Sequence, residues 1–401
     1  MKIYEIGTGY TPIPAQMGAA TEIVVEEITR SFLKNGEVVE IIDIQAPERA
    51  KTDLPISEVK VPVVFTKTDV SLGIMHKLKR VVYSICLAKH LKKILKKSAE
   101  KVVLHFHNQY NLFFFLKLVP AKLRKKATIA YTVHSYIWHG AWDEISADIH
   151  KRYFQELYCL KHADCVFVLN ANTRKTIAEH TDADPERVYL IDNGVNTDVY
   201  YPVSTEEKNA IKERYSLTGK TVFVQIGSVC ERKNQLTSIK LLLPVLKENK
   251  NIVFCYAGGV ISQEYQSDIA AFAEKHGIQN QILYVGELKP GKQINELYNI
   301  SEAMIFPSKA EGFSLVIVEA MSAGTPVVIH NSLQFELAES CLRFANRDDF
   351  LEKLNSEVLE SHNCGQWSQR VRQVITERYS WHKIAADYKA VFEEKSDTPC
   401  I

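Results

Sequence analysis

Short apolar β-type runs alternate with longer helical patterns along this chain, and the alternation runs through twice. In the first half, Lys2–Ile6, Val38–Ile44, Val102–Phe106, Thr128–Val133 and Cys165–Leu169 read as strands. Helical stretches separate them, such as Ala20–Lys34, which stops at the helix-ending pair Asn35-Gly36. In the second half, Thr221–Ile226, Ile252–Ala257, Ile282–Val285, Ala303–Phe306 and Pro326–Ile329 are β-type. Asn234–Lys247, Gln263–His276 and Ser314–Ala323 are helical between them. A helix between two strands makes a crossover, so each series predicts a parallel sheet covered on both faces. The fold class is therefore α/β, with two doubly wound, Rossmann-like domains.

The turn formers from Asn193-Gly194-Val195-Asn196 to Pro202 read as the linker. The expected division is an amino-terminal domain 1–195, a second domain 196–375 and a terminal segment 376–401. Two closing helices break near Ser380-Trp381, and the last is expected to return to the first domain. Sheets of this kind take ligands outside the carboxyl ends of their strands, so two facing domains would enclose a cleft.

Composition narrows the function classes. With 401 residues, two or three domains are expected, and 46% apolar residues suffice for their cores. A formal net charge of +1 gives no overall bias toward nucleic acid, and no nucleic-acid module is recognisable. The start, MKIYEIGTGY, lacks the features of a secretory signal, and the apolar run Leu112–Leu118 is too short to span a bilayer. The eight cysteines are scattered without a Cys-x-x-Cys pair, as suits reduced thiols in a cytoplasm. No His-Glu-x-x-His run occurs, so neither a resident metal nor a cofactor is expected.

The segment richest in chemistry is PSKAEGFSLVIVEAMSAGTPVV, Pro307 to Val328. A strand ends at Phe306, a loop carries Glu311-Gly312-Phe313, and Ser314 caps a helix whose first amides suit a phosphate. Glu319, about a turn and a half into that helix, can reach a ribose diol. Glu311 can accept hydrogen bonds from hydroxyls further along the same ligand. An isolated pair of glutamates is more often a solvated surface; here the surrounding run is what gives it meaning. A second segment, Gly227 to Asn234, places Arg232 and Lys233 beside a glycine turn at a helix start, where they complement a diphosphate.

The first of these segments resembles the family-4 glycosyltransferases of GT-B fold. Their hallmark is two glutamates separated by seven residues in EGF-x-L-x-x-x-EAM-x-x-G-x-PV, and every fixed position is present here. The resemblance implies that Glu311 contacts a donor sugar, that Glu319 binds the nucleotide ribose, and that amides of Gly312, Phe313, Ser314, Leu315 and Val316 face the sugar and diphosphate. Lys233 matches the family lysine, but Ser228 stands where an arginine is usual; Arg232 is the candidate substitute. His134, in AYTVHSY, matches the histidine facing the donor sugar, and His107, in LHFHN, is placed on the acceptor side. Gly7-x-Gly9 fails as a dinucleotide fingerprint because Pro12 replaces the third glycine; Gly18-Ala19 instead resembles the family's diphosphate-approaching loop.

The resemblance implies a retaining, metal-independent hexosyl transfer, using Glu311, His134 and Lys233, to a glycan or lipid-linked sugar in bacterial surface polysaccharide assembly. A glycan phosphorylase, a sugar-nucleotide epimerase and a non-catalytic nucleotide-sugar scaffold are the alternatives. The partners implied are a nucleotide-sugar, the acceptor, and an anionic membrane surface. The last rests on residues 76–126, where fourteen lysines and arginines face Glu100 alone. In that segment Leu78, Val81, Ile85, Ala88, Leu91 and Leu95 form an apolar stripe, as in a helix lying on the inner face of a membrane.

Overall fold

A computed structural model describes residues 1–15, 19–66, 74–134, 138, 154–308, 313–333, 337–359 and 364–397. The chain forms two compact units, Met1–Gly194 with Trp381–Ile401, and Val195–Ser380.

Unit 1 contains β1 (Lys2–Ile6), β2 (Val38–Ile44), β3 (Ile56–Val59), β4 (Val102–Phe106), β5 (Ala127–Thr132), β6 (Cys165–Val168) and β7 (Val188–Leu190). Their order is β3-β2-β1-β4-β5-β6-β7, and every pair is parallel. The chain winds outward in both directions from β1 and β4, which makes their junction the topological switch point. Every residue of β4 and β5 is buried, as in a sheet covered on both faces.

The final helix, Trp381–Asp397, belongs to this unit. Its Phe392 ring lies 6.3 Å from Phe32 and its Tyr388 ring 4.5 Å from Phe167. Lys389 pairs with Glu37 at 2.6 Å.

Unit 2 contains β8 (Thr221–Ile226), β9 (Ile252–Ala257), β10 (Ile282–Gly286), β11 (Ala303–Phe306), β12 (Val327–His330) and β13 (Leu342–Phe344). The order β10-β9-β8-β11-β12-β13 again winds outward from a central pair, here β8 and β11. Alternate side chains of β8 enter opposite clusters: Val222, Val224 and Ile226 on one face, Phe223 on the other. The sheet thus lies between two apolar layers.

The basic segment departs from the uniform amphipathic helix expected there. Within the helix Ile74–Lys97, Ala88, Leu91 and Leu95 are core residues beside Tyr83 and Leu87. A crossover helix must bury its stripe on the sheet, so this part of the stripe cannot face a membrane. The amino-terminal part differs: Ile74, Met75, Leu78 and Val81 are exposed, as are Val63 and Val64 ahead of it. Lys79 is not a solvated cation; it is buried and donates to the Tyr10 carbonyl at 3.2 Å. Among the described residues, no helix is long and apolar enough to cross a membrane.

Candidate functional site

The expected donor residues of unit 2 follow the two strands that flank its switch point. After β8 the chain turns at Gly227 and runs to Asn234, which takes a left-handed φ of 63° before the helix Gln235–Glu248. Gly258, at the end of β9, lets this loop lie close. A β-carbon there would sit 2.2 Å from the Gly227 carbonyl oxygen. Inside the loop, Gln225 donates to the Lys233 carbonyl at 2.7 Å and accepts from the Ser238 hydroxyl at 2.6 Å.

Two further bonds tie this loop to the one after β11. The Asn234 amide donates to the Pro307 carbonyl at 3.1 Å, and the Ser308 hydroxyl donates to the Arg232 carbonyl at 3.3 Å. The backbone carrying Arg232 and Lys233 is thereby bonded to the start of the segment that runs into Leu315–Ser322. Lys233 places its ammonium 5.2 Å from the Phe306 ring centroid.

Ser314 stands at the cap position of the helix Leu315–Ser322 with extended backbone (φ −100°, ψ 103°), but its hydroxyl makes no cap hydrogen bond. Ser314 thus holds the cap position without the side-chain hydrogen bond expected of it. Leu315 and Val316 form the first turn, and Phe313 stacks on Tyr379 with centroids 6.2 Å apart. Glu319 is partly exposed and accepts from the Tyr298 hydroxyl at 3.2 Å. Burial, with the Glu319 charge beside it, raises the Tyr298 pKa well above its ordinary value, so the phenol stays a donor. Glu311, Gly312 and Gly18 lie outside the described residues.

At the switch point of unit 1, the register places Glu5 of β1 opposite His105 of β4. Both side chains are wholly buried. Glu5 Oε1 lies 3.0 Å from His105 Nδ1, and Glu5 Oε2 lies 2.8 Å from His107 Nε2. His107 Nδ1 lies 3.1 Å from His134 Nε2. On the other branch, His105 Nε2 lies 2.7 Å from the Thr132 hydroxyl, itself 3.2 Å from Tyr388 OH. Burial works to raise the Glu5 carboxyl, but His105 and His107 outweigh it and hold its pKa down at about 2. Burial, reinforced by His105, pushes His107 down to about 4.

His107 is thus a buried member of a network, with both ring nitrogens engaged. Among the described residues, Glu5, His105 and His107 are also the one group whose donor atoms lie close enough, within 4.8 Å, to hold a metal. They are joined by hydrogen bonds, each ring using a different carboxylate oxygen. Glu5 and Tyr388 escape a reading of the sequence by motif. The available signal is a lone carboxylate inside the apolar strand KIYEI, with two histidines at strand spacing in LHFHN.

Comparison with known proteins accounts for both halves. The pattern described as Glycosyltransferase Family 4 matches residues 21–199, and that described as Glycosyl transferases group 1 matches residues 207–337. A serotype-specific mannosyltransferase of Escherichia coli is 28% identical over 184 residues, 45% of this chain and 22% of that protein. The chain thus spans about a fifth of that relative's length. A D-inositol 3-phosphate glycosyltransferase of Corynebacterium aurimucosum is 22% identical over 59% of this chain and 55% of its own.

Among solved structures, sucrose-phosphate synthase from Thermosynechococcus elongatus superposes with a TM-score of 0.75 at 16% identity, covering 98% of each chain. The Anabaena protein HepE, in complex with UDP and glucose, superposes with a TM-score of 0.71 at 14% identity, covering 98% of this chain and 100% of its own. These likenesses establish the fold.

Proposed function

The chain belongs to the family-4 glycosyltransferases of GT-B fold, and on that premise we propose that it moves a hexosyl group from a nucleoside-diphosphate sugar to a hydroxyl of a glycan or lipid-linked sugar. The observation that carries this reading is the hydrogen-bonded union of the loops after β8 and β11. It supports the reading by joining the loop of Arg232 and Lys233 to the segment that leads into Leu315–Ser322, the helix of Glu319, at the carboxyl end of one sheet. Lys233, with Arg232 and the first amides of Leu315–Ser322, stabilises the charge that develops on the departing diphosphate. Those groups supply the neutralisation that a divalent cation gives elsewhere, so the reaction is metal-independent. Glu319, oriented by Tyr298, holds the ribose diol. The roles that the resemblance implies for Glu311 and His134 in handling the transferred sugar belong to this proposal, as does retention of the configuration at its anomeric carbon.

A lipid-linked acceptor and surface polysaccharide assembly are supported by a 23%-identical Escherichia coli relative, a galactosyltransferase named for a diphosphoundecaprenol acceptor. Exposed Val63, Val64, Ile74, Met75 and Leu78, with Lys77 close by in sequence, support docking on anionic lipid. Liposome sedimentation with and without anionic lipid tests this; equal binding to both overturns it.

The transfer itself is tested by incubating the chain with a panel of nucleotide-sugars and following release of UDP, GDP or ADP. Acceptor-dependent release is expected. Binding without turnover would make it a scaffold, and phosphate-dependent release of a sugar-1-phosphate would make it a phosphorylase.

A further inference from the structure

The hydrogen bonds around Glu5 have only one consistent direction, and it follows from elementary donor–acceptor chemistry. A carboxylate accepts and never donates. His105 Nδ1 and His107 Nε2, which meet its two oxygens at 3.0 and 2.8 Å, must therefore both carry protons. His107 is neutral near pH 7, because burial has lowered its pKa to about 4. A neutral imidazole with its proton on Nε2 has a bare Nδ1, which can only accept. Its partner at 3.1 Å is His134 Nε2, so that nitrogen must donate.

We propose that Glu5 is a positioning residue which, acting through His107, holds a proton on His134 Nε2 and so fixes the orientation of that ring toward a sugar hydroxyl. The proposal rests on the reading of His134 as a sugar-facing residue and adds how that residue is set. Three features make the device robust. The anchor lies on β1 and His107 directly follows β4, the two strands at the switch point, where the carboxyl ends of the sheet open. The carboxylate is wholly buried, so no water competes for its oxygens. Its second oxygen is taken by His105, whose far nitrogen meets Thr132 and, beyond it, Tyr388 of the final helix. Both carboxylate oxygens are thus engaged, and the relay to His107 keeps its direction.

Nitrogen NMR of the full-length protein labelled in its histidines reads the ring forms directly at pH 7.5. The expected result is protonated Nε2 for both His107 and His134, with a bare Nδ1 on His107. A His134 with no proton on Nε2 overturns the proposal. Two substitutions then test the link to turnover. His107→Phe keeps a flat ring but offers no acceptor; His134 should become a mixture of ring forms. Turnover should fall about tenfold, the scale of one hydrogen bond, while donor KM stays within about twofold. His107→Asn restores an acceptor oxygen and should restore both the His134 ring form and most of the turnover.

An unchanged His134 ring form in His107→Phe overturns the relay, whatever the activity. A changed ring form with wild-type turnover overturns its role in the reaction. UDP-glucose, UDP-galactose and GDP-mannose serve as donors. A chain that turns over none of them fails the transfer reading, while the NMR result still decides the relay.

Discussion

Both sheets wind outward from a central pair of strands, yet their interiors are held by different chemistry. In unit 1 the buried side chains include Glu5, Glu22, Asp43, Lys79, His105, His107 and Glu156. Among the described residues of unit 2, Glu296 is the buried ionisable side chain outside the tyrosines and cysteines, and amides take the polar roles: Gln225, Gln235, Gln281, Asn295 and Asn299. Gln281 shows how: its amide nitrogen bonds the carbonyls of Leu246, Asn249 and Ile252 at 2.9, 3.0 and 2.9 Å. An amide satisfies such groups without desolvating a charge, whereas a buried carboxylate needs donors on both oxygens. Lys233, Arg232 and Glu319 stay outside the fully buried core of unit 2, as the proposed site for a charged ligand requires. Unit 1 buries titratable groups both on its strands, as with Glu5, Asp43 and His105, and on the helices around them, as with Glu22, Lys79 and Glu156.

Four measurements break or sharpen this contrast. The largest effect is expected where unit 2 holds its cation. Lys233→Ala should lower kcat by about 10²–10³-fold with little change in stability, as steady-state nucleotide release and thermal unfolding would show. A wild-type kcat would mean that the loop charge is idle.

The second effect is acid sensitivity confined to unit 1. His107 has a folded pKa of about 4, below its ordinary 6.5, so the unfolded chain takes up the proton first as pH falls. Stability is complete above about pH 6.5, and about 3 kcal/mol is lost by pH 4. Glu5, held down at about 2, adds a further loss as pH falls from 4.5 towards 2. Hydrogen exchange resolved by peptide should show β1 and β4 losing protection between pH 6.5 and 4 while β8 and β11 keep theirs. Equal loss in both units would remove the contrast.

Third, Gln281→Leu should destabilise unit 2 by about 2 kcal/mol, because buried carbonyls lose their donor. The effect should be the same at pH 7.5 and pH 5, read as a shift in denaturant midpoint. The smallest effect is expected of Tyr298→Phe, which removes one bond to Glu319. It should raise donor KM about fivefold, roughly 1 kcal/mol, with kcat unchanged. A larger fall in kcat would move Glu319 from binding to chemistry.

What the sequence reveals of the fold follows burial. Central strands such as Val102–Phe106 and Thr221–Ile226 are mostly apolar runs, and their limits are legible to the residue. Ile56–Val59, Val188–Leu190 and Leu342–Phe344 escape the same reading, and all three are edge strands. An edge strand is short and half covered, so it carries no long apolar signature. The apolar stripe of Ile74–Lys97 is legible too, but whether a stripe meets a sheet or a lipid depends on what lies across from it.

The site divides along the same line. Lys233 and Glu319 stand in local patterns whose spacing around a strand end and a helix start carries their meaning. By itself the sequence therefore determines the doubled α/β alternation and the residues carried on the loops after β8 and β11, because those depend on side chains a few positions apart. Tertiary structure alone decides which strands are neighbours. That choice sets Glu5 against His105, a hundred residues away, and brings Tyr388 to Thr132 from the far end of the chain. Local propensity does not encode such pairings; they arise when a buried carboxylate must find donors within the sheet that encloses it.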